Sequence, residues 1–155
     1  MSLVLLSGCD SGFMSETVDY GDLIEREGLY YKKFSDVPYT GKVTGEEQGS
    51  LKKGLREGEW VTYNENGQIG LKLTYENGKK VGGWESFHEN GQLHQKGNFK
   101  EGKIEGEYVT YYDNGQLEQK GTFKDQALEG EYIEYWSNGQ IKSKGNYKNG
   151  ELISD

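Results

Sequence analysis

A 24-residue unit is written four times between Gly58 and Ile153, with no insertion between copies. Gly58, Gly82, Gly106 and Gly130 open the units, and Trp60, Trp84, Tyr108 and Tyr132 follow two residues later. Tyr63, Phe87, Tyr111 and Tyr135 come next. Asn66-Gly67-Gln68 returns as Asn90-Gly91-Gln92, Asn114-Gly115-Gln116 and Asn138-Gly139-Gln140, each followed by Ile or Leu. Near its end each unit carries Tyr75, Phe99, Phe123 or Tyr147. A fixed period of this kind makes a repeat array, in which neighbouring units cover each other's apolar surface. Arrays present extended surfaces rather than enclosed pockets, so a scaffold or binder is expected ahead of an enzyme.

With each unit numbered from its opening glycine, positions 4, 6, 12 and 18 carry mostly Val/Ile, Tyr/Phe, Ile/Leu and Tyr/Phe, Glu85 being the exception at position 4. Even spacing is the period of a strand. Asn-Gly at positions 9 and 10 signals a hairpin. A two-residue loop sets position 6 on the face opposite 12 and 18, whereas a three-residue loop with a left-handed glycine pairs 6 with 12. The second choice predicts 4, 6, 12 and 18 on one face and Lys72, Lys96, Lys120 and Lys144 on the other. Because a one-residue slip turns every side chain over, the amphipathic register is preferred.

Gly97, Gly121 and Gly145 at position 16 offer bare backbone on which a ring can lie. The aromatic at position 3 is off-phase: it forms a second, exposed stripe, or a bulge rotates it inward. Lys124-Asp125-Gln126-Ala127 lacks the glycine of the corresponding turns, so that turn is expected to differ locally.

The predicted fold is therefore all-β: an elongated antiparallel β-meander built from tandem 24-residue β-hairpin repeats over residues 58–153. Leu23-Ile24 and Leu29-Tyr30-Tyr31 flank Glu27-Gly28 as another hairpin, and Pro38-Tyr39-Thr40-Gly41-Lys42 leads into a shortened unit. Residues 21–57 thus read as an N-terminal hairpin and degenerate cap repeat. The opposite edge of the sheet is open and suits pairing with a second chain, which makes a homodimer a candidate assembly.

Hydrophobic residues make up 32% of the 155, alongside 24 glycines and 12 tyrosines, which suits a thin aromatic stripe rather than a deep core. The net charge of −8 opposes binding to nucleic acid or an anionic lipid surface and favours a basic protein partner.

Cys9 is the only cysteine, so neither an internal disulfide nor a cysteine metal site is expected. Leu6-Ser7-Gly8-Cys9 closes an apolar run and precedes Asp10-Ser11-Gly12. This resembles the lipobox of bacterial lipoproteins, with residues 1–9 as a truncated signal and residues 10–20 as a polar tether. The resemblance implies lipidation at Cys9, and hence a membrane anchor that holds the chain outside the cytoplasm at the bacterial cell envelope.

The repeat itself resembles the membrane occupation and recognition nexus, or MORN, repeat. Gly106-Glu107-Tyr108-Val109-Thr110-Tyr111-Tyr112-Asp113-Asn114-Gly115-Gln116-Leu117 is similar to the bacterial variant, whose proteins are often labelled antitoxin-type repeat proteins. The resemblance implies hairpin sheets, a role in protein or membrane association, and no catalytic residues or cofactor.

Trp60, Trp84, Tyr108, Tyr112, Tyr132 and Trp136, at positions 3 and 7, form the candidate binding strip. His88 and His94 flank one turn, yet a metal needs a larger converging ligand set, so they are expected to be exposed variants. No enclosed carboxylate pair, nucleophile with a base, or phosphate-cradling loop stands out. Three functions follow: a membrane-anchored protein-interaction scaffold, a carbohydrate-binding envelope protein stacking sugars on the same strip, and a cytoplasmic antitoxin-like protein should Cys9 carry no lipid.

Overall fold

In a computed structural model the structure describes residues 16–154. The expectations for residues 1–9, Cys9 included, and for most of the tether lie outside the described residues. The cap contains β1 (Thr17–Asp19), β2 (Leu23–Arg26), β3 (Leu29–Lys32), β4 (Gly41–Thr44) and β5 (Glu47–Lys52). Then come β6 (Leu55–Tyr63), β7 (Ile69–Glu76), β8 (Lys79–Phe87) and β9 (Leu93–Lys100). The array continues with β10 (Lys103–Ile104), β11 (Gly106–Tyr111), β12 (Leu117–Lys124) and β13 (Ala127–Leu128). It closes with β14 (Gly130–Tyr135), β15 (Ile141–Lys148) and β16 (Glu151–Ser154). From β4 to β16 they form one antiparallel meander, with β10 and β13 as short side pairings of β9 and β12. The β2–β3 hairpin is a separate small sheet. The fold class is the one the repeat predicts.

Two features of the cap differ from expectation. Part of the segment read as tether is structured: β1 pairs with β4 in parallel, and Val18 packs against the core cluster. The Tyr39 hydroxyl donates to the Glu16 carbonyl at 2.7 Å, which ties this strand down. That core is Tyr39, Val43, Leu51 and Trp60, so the deepest burial lies where cap meets first repeat rather than along the array.

Within a unit the three-residue loop is observed. The Asn64 amide donates to the Gln68 carbonyl and the Gly67 amide to the Asn64 carbonyl, both at 2.8 Å. Gly67 has φ 80° and Tyr63 pairs with Ile69, a register that recurs as Phe87 with Leu93, Tyr111 with Leu117 and Tyr135 with Ile141. The next pair, however, is Thr62 with Leu71, which leaves Gly70 as an extra residue. Such a bulge shifts the side-chain phase by one.

The predicted face is corrected accordingly. Positions 4, 6 and 12 share a face, but position 18 lies on the other, together with the position-3 aromatics. Trp60 pairs with Leu73 and Gly58 with Tyr75, while Val61 pairs with Lys72, so the position-15 lysines share the face of position 4. Position 3 therefore keeps to a second stripe opposite positions 4, 6 and 12, and the bulge turns position 18 onto that stripe instead of rotating position 3.

At the other rim, two-residue turns with both residues left-handed connect the units, as at Asn77-Gly78 (φ 49° and 78°) and Asn149-Gly150 (φ 52° and 83°). Asp125-Gln126 keeps the same geometry at φ 50° and 71°, contrary to the expected local difference. Glu105 of the preceding unit accepts from the Asp125 amide at 3.0 Å and ties the turn down, and Gln126 bears the strain that glycine avoids elsewhere.

Candidate functional site

The aromatics at positions 3 and 18 form a run along one face. Trp84 lies 5.7 Å from Phe99 and 6.2 Å from Tyr108, and Tyr108 meets Phe123 edge-on at 5.6 Å. Tyr132 meets Tyr147 at 5.8 Å in the same manner. Bare glycine backbone makes the approach possible: a Cβ on Gly97 would come within 2.9 Å of Trp84 Nε1, and one on Gly121 within 2.8 Å of Tyr132 Cδ2.

The sequence-predicted strip divides along this run. Trp60 is 2% exposed and closed off from any partner, so it is a core residue rather than part of an exposed strip. Trp84, Tyr108 and Tyr132 are half-buried, with one side packed and the other open. Trp136 is 51% exposed. Tyr112 is half-buried and donates its hydroxyl to the Tyr135 carbonyl at 2.7 Å, one repeat onward.

Four consecutive segments, residues 56–77, 80–101, 104–125 and 128–149, match the MORN repeat variant family and together span more than half of the chain. The chain belongs to the MORN repeat variant family. No curated protein matches it. MORN repeats are generally involved in protein or membrane interaction, and the family is generally non-enzymatic.

The Asn-Gly of each of the first three MORN units serves the next unit as well as its own. Asn66 Oδ1 accepts from the Gln68 amide at 2.9 Å, and Nδ2 donates to the Glu89 carbonyl at 2.8 Å. Asn90 and Asn114 repeat both bonds, to Asp113 and Ser137. At the opposite rim Glu57, Glu105 and Glu129 accept from the first amide of the adjoining turn, at Asn77, Asp125 and Asn149. Both rims thus link unit to unit.

Arg56 escaped the sequence reading. Its guanidinium lies 4.3 Å from the Trp60 ring centroid and 5.3 to 5.4 Å from those of Tyr30 and Tyr75. It donates to the Tyr30 hydroxyl at 2.9 Å and pairs with Glu47 at 2.7 Å. Burial pulls its pKa down, but the Tyr30 hydrogen bond and the Glu47 charge outweigh burial and hold the cation. Burial, with the Tyr20 hydroxyl beside it, pushes Tyr30 up to about 12. These contacts lock the cap onto the first MORN unit, a structural role. Position 23 holds Arg56, Lys80, Ile104 and Leu128 in successive units, so no repeat signal marks it.

His88 and His94 stack at 4.2 Å, and His88 Nε2 lies 2.8 Å from the Tyr111 carbonyl oxygen. Both are half-buried rather than exposed, a correction that the bulge explains by placing position 13 under position 7. Among the described residues no group of three His, Cys, Asp or Glu stands close enough to hold a metal. None of the described helices is long and apolar enough to cross a membrane, which says nothing about strands.

Proposed function

We propose that this chain is a non-catalytic scaffold, lipid-anchored through Cys9 at the bacterial cell envelope, which presents its aromatic face to a basic protein partner. The observation that carries the reading is the half-open row Trp84, Tyr108 and Tyr132, extended by Trp136. Aromatic rings fixed by a rigid sheet bind with little loss of side-chain entropy. The net charge of −8 supports a basic partner. The same rings suit sugar stacking, which keeps a carbohydrate ligand as the second reading. Leu152 and Ile153, 53% and 63% exposed on β16, support edge pairing with a second copy.

The test is capture from membrane extracts of cells expressing the native gene, with intact-mass analysis of the same fraction and with Cys9→Ala and Trp84→Ser/Tyr108→Ser beside it. An acylated species that begins at Cys9, together with a basic protein retained only by the intact aromatic row, supports the proposal. A soluble unmodified chain removes the anchor and brings the cytoplasmic antitoxin-like reading forward. Retention of glycans rather than protein favours the carbohydrate reading.

A further inference from the structure

The face opposite the aromatic row changes character in the second unit, which departs from its own repeat. Across the sheet the register runs Val61, Lys72, Glu85, Lys96, Val109, Lys120, Ile133, Lys144, each residue beside the next. Position 4 is apolar in three units and Glu85 in the second. Position 2 is a glutamate in those three, Glu59, Glu107 and Glu131, and Gly83 in the second. A cleft of about 660 Å³ opens over Gly83, with Lys72, Thr74, Glu85, Lys96 and Asn98 in its walls.

Gly83 is explained neither by conformation nor by crowding. Its φ is not in the left-handed range, and a Cβ there would meet only the Gly97 carbonyl oxygen, at 4.0 Å. The fourth unit shows one way to fill that space: Glu131 bonds Lys144 at 2.6 Å, whereas Glu59 and Glu107 make no ion pair within 4 Å with Lys72 and Lys120. In the second unit Lys96 stands where Lys144 does, and the matching carboxylate is missing. Among the described residues no ion pair within 4 Å engages Lys72, Glu85 or Lys96. Glu85 lies in register between the two lysines, so one carboxylate faces two ammonium groups. Thr74 and Asn98 add neutral donors on either side of the open floor.

We propose that this cleft seats a carboxylate supplied from outside the chain, by an acidic residue of an extended partner segment, in the place over Gly83 that the Glu131 side chain fills in the fourth unit. Lys96 provides the charge-assisted hydrogen bond. Glu59 and Glu107 stand two strands away on either side, about 9 to 10 Å. They repel a densely acidic ligand and suit basic residues three positions before and after the acidic one in a polyproline-II segment, which advances about 3.1 Å per residue and returns to the same side every third residue. The segment is thus basic overall with one central carboxylate. The proposal belongs to the face opposite the aromatic row and stands or fails apart from it.

The experiment is an amide chemical-shift titration of the full chain with a capped Lys-Gly-Gly-Glu-Gly-Gly-Lys peptide, the same peptide with Gln for Glu, and sodium acetate. Saturable shifts at Gly83 and Asn98 are expected with the Glu peptide, and binding of the Gln peptide should be weaker by about tenfold or more. Gly83→Glu installs the residue that the array uses at 59, 107 and 131, so it should fold as wild type while losing the peptide. Lys96→Gln should also lose it, a check independent of how Gly83→Glu folds. Acetate binding as tightly as the peptide would identify a free small carboxylate as the occupant and overturn the peptide assignment. Absence of saturable shifts, equal binding of the Gln peptide, or full binding by Lys96→Gln would overturn the site.

Discussion

Asn90 donates from Nδ2 to the carbonyl oxygen of Asp113 at 2.8 Å, and Asp113 belongs to the next repeat. The same side chain accepts from the Gln92 amide at 2.9 Å, so one amide shapes its own loop and fastens the following one. A net hydrogen bond contributes about 1 kcal/mol. Asn90→Ala should therefore cost about 1–2 kcal/mol in urea denaturation. Asn90→Asp keeps the loop acceptor, loses the donor and sets a charge against a carbonyl, so it should cost at least as much. Asn138 is the internal control. Its Nδ2 reaches only Gln140 Oε1, at 3.4 Å, and Asn138→Ala should cost measurably less.

Two glycines test two different reasons for the same residue type. Gly106 has φ 84° with nothing within 4 Å of a would-be Cβ, so only the backbone requires it. Gly106→Ala should cost about 1–2 kcal/mol, and Gly106→Asn less, because asparagine tolerates the left-handed region. At Gly121 no left-handed angle intervenes, but a Cβ would come within 2.8 Å of Tyr132 Cδ2 and 3.2 Å of Leu128 Cδ2. Gly121→Ala should cost about 1–3 kcal/mol by overpacking, and Gly121→Asn more. Thermal melts of the four variants separate strain from crowding by this reversed order.

Gln126 holds φ 71° in a turn whose counterparts at 78, 102 and 150 are glycines. Gln126→Gly removes the left-handed penalty of about 1–2 kcal/mol and adds an unfolded-state entropy cost of about 0.5–1 kcal/mol. The net expectation is a gain of between zero and about 1.5 kcal/mol, at about 2–4 °C in Tm per kcal/mol for a chain of this size. A fall in Tm on this substitution would show that the Gln126 side chain makes compensating contacts.

The loop at Asn66-Gly67 was legible because Asn-Gly carries its own backbone preference and recurs in every unit. The bulge that follows was not, since its extra residue is Gly70, His94, Glu118 and Lys142 in turn and shares no chemistry between units. Without it the phase between positions 12 and 18 is off by one, which puts Tyr75 on the wrong face and leaves the placement of Trp60 undecided in the sequence. The aromatic row itself was readable from the period. Closure of Trp60 was not, because Tyr20, Leu23 and Tyr30 pack on its cluster from outside the repeat. Arg56 was hidden for a related reason: its cage is assembled from Tyr20, Tyr30, Trp60 and Tyr75, residues up to 36 positions from it in the chain.

His94 gives the stability of the fold a dependence on pH on the acid side. Burial, and then the neighbouring His88 charge, lower the His94 pKa below 6.5, while Glu118 from the next unit opposes the shift. A base whose folded pKa is depressed binds its proton more readily when unfolded, so stability is complete above 6.5 and declines as pH falls through the folded value. The lowered carboxyl pKa values of Glu131 and Glu134 act only below their ordinary value of 4.5, which leaves the interval from 6.5 to about 5 to histidine. Tm should therefore drop across that interval in the wild type, and His94→Gln should flatten the drop. His88→Gln should flatten part of it, by removing the neighbouring charge. An unchanged slope in His94→Gln would assign the acid sensitivity to another group.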